Sequence, residues 1–184
     1  MALRTPGQSS NLLGRPGDTT RLLPRLIPAI LALVGLVLPK VPFGYLFDVV
    51  PAPSLILIII FFWTMIDTER LSPIFIFVLG LIEDLISGTP LGSWSLAYLL
   101  AYSFVVTQGG VLMTRSFLMQ WMVFGLIGLL SYLFVYIAIG LKVGNFSPPA
   151  VLLVPYIVTL AIFPPLAKLF IKIEETLQKS GVGK

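Results

Sequence analysis

Two adjacent carboxylates, Glu83 and Asp84, form the only acidic pair inside a long apolar stretch of this sequence. A pair of carboxylates could in principle share general acid and base work. Adjacent residues on a helix, however, point about 100° apart, so these two side chains cannot share one face. A charge at the centre of a membrane helix costs about 2.5 to 3.5 kcal/mol, so the pair needs another reason to be there.

The other side chains offer little that could perform catalysis. The 184-residue chain contains no His and no Cys, so it lacks the commonest general base, the commonest metal ligand and a thiolate nucleophile. The sequence has no Gly-x-Ser-x-Gly elbow, no His-Glu-x-x-His motif and no Walker loop. We therefore predict a protein that is not an enzyme and that has neither a metal nor a cofactor.

Asp84 belongs to a stripe of small residues on one helix face. It aligns with Gly80 and Gly88 at four-residue spacing, and Ser87 lies beside them. Small residues let another helix approach closely, and a carboxylate can accept hydrogen bonds from that helix. Two alternatives stay open for Asp84, a structural or packing role and plain hydration near the helix end. Glu83 is equally compatible with both.

The segment after this stripe has the composition of a tight turn. Pro90 fixes its own φ angle, and Gly88 and Gly92 permit positive φ angles. A turn this short forces the two flanking helices into an antiparallel hairpin. The candidates for helix packing or partner binding are therefore Gly80, Asp84, Ser87, Gly88, Pro90 and Gly92, with Glu83 left open.

Membrane helices must position these residues, because the composition excludes a water-soluble globule. Apolar and aromatic residues make up 57% of the chain and charged residues 11%, whereas soluble domains carry roughly 25% charged residues. A helix needs about 20 mostly apolar residues to cross a membrane. Uncharged runs, divided at turn residues, predict an all-α polytopic membrane protein. Its six predicted spans are 22–38, 51–66, 71–87, 93–107, 117–141 and 150–170.

The distribution of basic residues predicts the orientation of these spans. Of the 12 Lys and Arg residues, all except Lys40 and Lys142 fall on the same side as the N-terminus. The positive-inside rule places that side, and hence both termini, in the cytoplasm. Nucleic-acid binding is not favoured, because the basic residues are not spread over a folded, wettable surface.

The chain divides into three predicted regions. Residues 1–20, rich in Gly, Ser, Pro and Arg, form a disordered cytoplasmic tail. Residues 21–170 form the transmembrane domain, and residues 171–184 form a cytoplasmic amphipathic extension and tail. The extension either lies along the anionic inner leaflet or only anchors the last span by its positive charge.

Several other patterns predict details of the helices. Residues 108–110 begin a predicted loop, and a small-residue face in the fifth span predicts helix packing through Gly125, Gly128 and Ser131. The sixth span is expected to bend at Pro155, Pro164 and Pro165. The aromatic residues are expected to include interfacial anchors, to which no ligand is assigned: Trp63, Trp94, Trp121, Tyr45, Tyr98, Tyr102 and Tyr136.

The central part of the sequence resembles a known family. Residues 80–92, GLIEDLISGTPLG, with Tyr98 after them, look like the central signature of the MreD family of rod shape-determining membrane proteins. Residues 53–63 are similar to that family's second span. Two positions depart from the family pattern. Ser54 stands where the family often has Asp or Asn, and Glu83 occupies a position that is usually not acidic.

The resemblance implies a non-enzymatic subunit of the cell-elongation machinery in the bacterial inner membrane. Members of the family associate directly with MreC, a single-span periplasmic partner. Through MreC they associate indirectly with the actin-like MreB and with the peptidoglycan synthases. The family's fold resembles the six-helix S-components of energy-coupling-factor vitamin transporters.

Two functions from different classes follow from these observations. In the first, the protein is a membrane scaffold that docks MreC and helps to regulate cell shape and side-wall peptidoglycan synthesis. In the alternative, it is a solute-binding subunit of a membrane transporter, which predicts a polar, ligand-sized pocket on the outer side. The residues available to line such a pocket are Glu83, Asp84, Gln108 and Asn145.

Overall fold

The computed structural model describes residues 18–38 and 53–179. In this part of the chain there are six helices and no strand, which confirms the predicted all-α class. The helices are α1 (Asp18–Val37), α2 (Leu55–Ile66), α3 (Pro73–Ser87), α4 (Ser93–Met113), α5 (Phe117–Val143) and α6 (Ala150–Lys179).

Three of the described helices are long and apolar enough to cross a membrane. The qualifying segments are Ser93–Met113, Phe117–Val143 and Ala150–Thr176. Two shorter apolar helical segments, Leu26–Val37 and Leu55–Ile66, fall below that length. The prediction of a polytopic membrane protein is thus supported for three spans, and the other three stay a prediction.

Helix α2 forms the centre of the bundle. All of its residues from Ile56 to Met65 are buried, and it contacts α1, α4 and α6. A helix that is apolar on every side belongs in a protein core or in the hydrocarbon of a membrane. Ser54 begins the helix as its N-cap, where its hydroxyl accepts a hydrogen bond from the Leu57 amide at 3.4 Å.

The predicted loop that begins at residue 108 is wrong, because α4 continues to Met113. Gly109 is buried, and a Cβ atom at this position would lie 3.6 Å from the Cα of Met65 at the end of α2. Gly109 thus lies at the contact between α4 and α2. In an apolar environment the continued helix also keeps the backbone hydrogen bonded.

The small-residue face of α5 packs against α6. Gly125, Gly128 and Ser131 are all buried, and a Cβ at Gly128 would lie 3.5 Å from the ring of Tyr156. The Tyr156 hydroxyl donates a hydrogen bond to the Gly125 carbonyl at 3.1 Å. This face of α5 therefore packs against Tyr156 of α6.

Helix α6 continues through all three of its internal prolines. Pro164 has no N–H, so the carbonyl of Leu160 lacks the donor that the next helical turn would normally supply. The indole N–H of Trp121 on α5 donates to that carbonyl instead, at 3.0 Å. An interhelical hydrogen bond thereby replaces the one that the proline removes.

Trp121→Phe is expected to lower the free energy of unfolding by about 1 to 2 kcal/mol, because it leaves the Leu160 carbonyl without its donor. Tyr156→Phe is the matched control, because the Gly125 carbonyl lies inside a regular helical turn, and its cost should stay below about 1 kcal/mol. Thermal unfolding of the purified variants in detergent measures the difference. Equal losses for the two variants would contradict this role for Trp121.

Two predicted regions lie partly outside the described residues. Helix α1 begins at Asp18, inside the predicted tail 1–20, and the rest of that tail lies outside the described residues. Tyr45 also lies outside them. At the other end, α6 continues past residue 170 to Lys179.

Candidate functional site

Asp84 organises the connection between α3 and α4. Its side chain is fully buried and accepts hydrogen bonds from the Thr89 hydroxyl at 2.6 Å, the Gly92 amide at 2.8 Å and the Trp94 amide at 3.0 Å. Gly92 is the N-cap of α4, and the first amides of a helix have no partner within it. The carboxylate supplies that partner and places negative charge at the positive end of the helix dipole. Asp84 is therefore not a hydrated interfacial residue.

The backbone between the two helices turns sharply at two glycines. Gly88 ends α3 with a φ of 68°, and Gly92 precedes α4 with a φ of 92°. Side chains other than glycine rarely adopt these angles. Between them, the Pro90 carbonyl accepts a hydrogen bond from the Ser93 amide at 3.1 Å. We call residues 84–94 the Asp84 turn.

The helix that approaches the small-residue stripe of α3 is α4 of the same chain. Gly80 is buried, and a Cβ atom there would lie 2.6 Å from the backbone nitrogen of Ser95 and would also collide with the Ser95 Cα. Backbone meets backbone at this point, so no side chain fits. The stripe ends with α3, because Ser87 and Gly88 are exposed.

Gly80→Ala is expected to lower the free energy of unfolding by about 1 to 3 kcal/mol, because the added methyl group forces α3 and α4 apart. Gly110→Ala is the matched control, since a Cβ at this helical glycine meets nothing within 4 Å. That substitution should be neutral or stabilising by up to about 1 kcal/mol. Thermal unfolding of the two variants side by side tests the contact, and equal stabilities would disprove it.

Glu83 points away from Asp84 into a different environment. It is half-buried, and the Ser87 hydroxyl donates to one of its carboxylate oxygens at 3.0 Å. The two adjacent acids therefore have separate surroundings and do not form an acid–base pair. Glu83 instead lines a cavity.

This cavity has a volume of about 360 Å³ and lies at the end of the bundle that contains the Asp84 turn. Of the residues proposed from sequence to line a ligand pocket, Glu83 is in its wall, whereas Asp84, Gln108 and Asn145 are not. Sequence reasoning missed its other polar and aromatic wall residues. They include Ser54, Trp94, Tyr98, Tyr132 and Tyr136.

Hydrogen bonds at the base of the cavity join four helices. The Ser54 amide donates to the Tyr132 hydroxyl and to the Thr159 hydroxyl, each at 3.0 Å. The Ser54 hydroxyl lies 3.0 Å from that of Tyr98, and the hydroxyls of Tyr132 and Thr159 are 2.9 Å apart. The start of α2 is thus connected to α4, α5 and α6.

A buried ion pair joins the α2–α3 connection to α6, at the opposite end of α3 from the Asp84 turn. Arg70 donates two hydrogen bonds to the carboxylate of Glu174, at 2.6 and 2.8 Å, and the two side chains are only 9% and 10% exposed. These hydrogen bonds raise the pKa of Arg70 further above its usual value. The guanidinium carbon also lies 5.3 Å from the ring centroid of Trp63.

The described polar side chains mainly hold helices together. Within residues 18–38 and 53–179, no group of three acidic side chains is placed to hold a metal ion. The Asp84 turn caps a helix, and Arg70 and Glu174 connect distant segments. In the part of the chain that the structure describes, these polar contacts therefore stabilise the packing of the helices.

Comparison with known proteins identifies the family. A family model described as rod shape-determining protein MreD matches residues 19–173. The chain belongs to the MreD family. No curated protein and no solved structure gives a significant match. Membership implies a membrane protein involved in rod shape determination, in a family that is structural and not known for enzymes.

The family match extends far beyond the signature that the sequence first showed. It begins in α1 and ends just before Glu174, so it takes in every described helix at least in part.

Arg70 and Glu174 are 104 residues apart, and no local pattern could pair them. Ser54 did carry a signal, because a serine directly before an apolar helix is a typical N-cap.

Three aromatic residues expected among the interfacial anchors belong to the core instead. Trp63, Trp94 and Tyr98 are all buried. Trp63 lies on the central helix α2, and Tyr98 faces the base of the cavity. In this MreD-family protein, helix packing decides their position.

Proposed function

We propose that this MreD-family protein is a non-enzymatic inner-membrane subunit of the bacterial cell-elongation machinery. It docks MreC and helps to regulate cell shape and side-wall peptidoglycan synthesis. MreB and the peptidoglycan synthases are reached indirectly, through MreC. The observation that carries this proposal is the family match over residues 19–173.

The proposed topology has six spans with both termini in the cytoplasm. It is supported by three helices of spanning length and by the concentration of Lys and Arg on one side. In this topology the Asp84 turn faces the periplasm, the compartment of MreC's main domain. The proposed similarity to S-components rests on the family resemblance alone.

The roles of the candidate residues divide between the inside and the outside of the turn. Gly80 and Asp84 already contact residues of the same chain, so we assign them the role of stabilising the α3–α4 hairpin. Ser87, Gly88 and Leu91 are exposed at its end, and we call them the turn tip. The turn tip is the part of this site that a periplasmic partner can reach.

Two measurements test docking and its location. The first is the amount of MreC that co-purifies with the full-length protein, and the second is the cell shape of a rod-shaped host depleted of its own copy of the protein. Leu91→Arg should reduce the MreC recovered and produce rounded cells. Thr68→Arg, at an exposed position in the connection before α3, is the control and should restore rods. Glu83→Gln should also restore rods.

Three results would refute parts of this proposal. If the wild-type protein retains no MreC, docking is refuted. If Leu91→Arg retains MreC as fully as Thr68→Arg does, the turn tip is not the contact surface. Retained rod shape after depletion would refute the regulatory function itself.

The cavity favours a second candidate function, a solute-binding subunit of a transporter. Its volume of about 360 Å³ falls within the range of small-molecule sites, about 300 to 1,000 Å³, and polar groups line it. In the proposed topology it lies on the outer side. Loss of saturable uptake of a vitamin on deletion would support this function, and unchanged uptake would exclude it.

A further inference from the structure

A groove of about 290 Å³ lies between α4 and α5, and its described wall residues all belong to these two helices. Its floor contains Ala97 and Ala101 of α4 and Ser131 of α5, all of them buried. Leu126 and Leu130 of α5 line its edge and are 58% and 57% exposed, so the groove opens away from the bundle. Small residues between large apolar ones let another helix approach closely in a membrane.

Ser131 is the one polar residue among these described wall residues. It is only 5% exposed, and its hydroxyl has no hydrogen-bond partner within residues 18–38 and 53–179. Burying a hydroxyl in an apolar environment is unfavourable unless the group is hydrogen bonded, and most buried polar side chains in proteins have a partner. The groove therefore contains a donor that an occupant with a polar acceptor would satisfy.

The depth of Ser131 in the membrane restricts what that occupant can be. Ser131 lies near the middle of α5, which runs from Phe117 to Val143 and is long enough to span a membrane. At 1.5 Å per residue, it is about 21 Å from the start of the helix and about 18 Å from its end. Lipid headgroups begin about 15 Å from the bilayer centre, so their oxygens do not reach this hydroxyl. A helix of another protein brings a carbonyl or a polar side chain to this depth.

The groove begins close to the turn tip, the surface proposed above to contact MreC. Ala97 is four residues into α4 from Ser93, about 6 Å along the helix axis. A partner that contacts the turn tip from the periplasm therefore enters the membrane beside α4. A single-span partner such as MreC has no second membrane helix of its own to pack against, and a groove between two helices accommodates one helix.

We propose that the α4–α5 groove binds the single membrane-spanning helix of MreC. That helix lies over Ala97 and Ala101, beside the leucines of the edge, and one of its acceptors pairs with the Ser131 hydroxyl near the bilayer centre. This inference rests on the proposed docking of MreC. It adds a contact surface within the membrane to the one at the turn tip.

Disulfide cross-linking in native membranes tests the proposal, because the chain contains no Cys of its own. Leu130→Cys is combined with full-length MreC variants that each carry a single Cys, at successive positions over two turns in the middle of the span. Ile157→Cys, at an equally exposed position on α6, is the matched control. We expect Leu130→Cys to form a disulfide with MreC, strongest at positions on one face of the MreC helix, and Ile157→Cys to form none.

Substitutions in the groove are scored by the amount of MreC that co-purifies. Leu130→Trp should lower it about tenfold, because the larger ring obstructs the groove, whereas Ile157→Trp should change it by less than about twofold. Ser131→Ala should lower it about threefold, the effect of one hydrogen bond between membrane helices. Thr107→Val is the control for the hydroxyl, since Thr107 already donates to the Phe104 carbonyl at 2.8 Å. Thermal unfolding of each variant shows that its fold is retained.

Three results would overturn the proposal. If Leu130→Cys links only to a second copy of this chain, the groove is an interface between copies. If it links to neither protein while MreC still co-purifies, lipid covers the groove. Both results leave docking at the turn tip intact, whereas absence of MreC from the purified wild-type protein refutes docking as well. Equal recovery of MreC with Ser131→Ala and Thr107→Val would refute the hydrogen bond to Ser131.

Discussion

Asp84→Ala is expected to lower the free energy of unfolding by about 3 to 5 kcal/mol, among the largest losses for any single substitution in this chain. The change removes the acceptor for the Thr89 hydroxyl and for the amides of Gly92 and Trp94. Each buried donor left without a partner costs about 1 to 3 kcal/mol. The start of α4 also loses the negative charge at its positive end.

The neighbouring carboxylate provides the control for this prediction. Glu83→Ala removes the same charge one residue away, but Glu83 is half-buried and caps no helix, so its cost should stay below about 1 kcal/mol. Asp84→Asn should be intermediate, because its amide nitrogen cannot accept from a backbone N–H. Unfolding in detergent, followed by circular dichroism, measures all three. If Asp84→Ala is as stable as Glu83→Ala, the capping role is refuted.

Arg70→Ala is expected to lower the free energy of unfolding by about 3 to 5 kcal/mol. The loss arises because the carboxylate of Glu174 stays buried without the guanidinium that donates two hydrogen bonds to it. Glu174→Ala should cost less, because Arg70 keeps its ion pair with Asp67 at 3.3 Å. Lys172→Ala, an exposed change on the same helix, should cost less than about 0.5 kcal/mol.

A double substitution distinguishes a buried ion pair from simple loss of packing. Arg70→Met with Glu174→Met replaces both charges by apolar side chains and should recover most of the stability lost by either single change. The coupling between the two positions is obtained from a double-mutant cycle of unfolding free energies. Additive losses would show that the two side chains act independently and would contradict the ion pair.

Much of the helix order could be read from the sequence, because the bilayer imposes simple rules. Spanning helices need long apolar runs, and proline, glycine and charge mark their ends. The predicted starts of the fifth and sixth helices, Phe117 and Ala150, agree with the structure. The predicted end of the fourth helix, at residue 107, does not agree with the structure. Gly109 resembles a turn signal when only its neighbours in sequence are considered, but in the fold it packs against Met65.

The candidate site was only partly predictable. The cost of a membrane charge singled out Asp84, and the glycine and proline pattern indicated the turn beside it. The sequence could not show that Glu83, its neighbour, lines a cavity. Its wall contains Ser54 and Tyr132, which are far apart in the chain and are joined by a hydrogen bond.

The sequence by itself determined the class of this protein: an all-helical MreD-family membrane protein without His or Cys and with a tight turn after Asp84. These properties depend on composition and on contacts within a few residues. Only the tertiary structure decided which side chains meet. The Arg70–Glu174 pair, the hydrogen bond from Trp121 to the Leu160 carbonyl and the aromatic cavity all join segments that are distant in the sequence. Helix packing creates such contacts, and local residue patterns do not encode them.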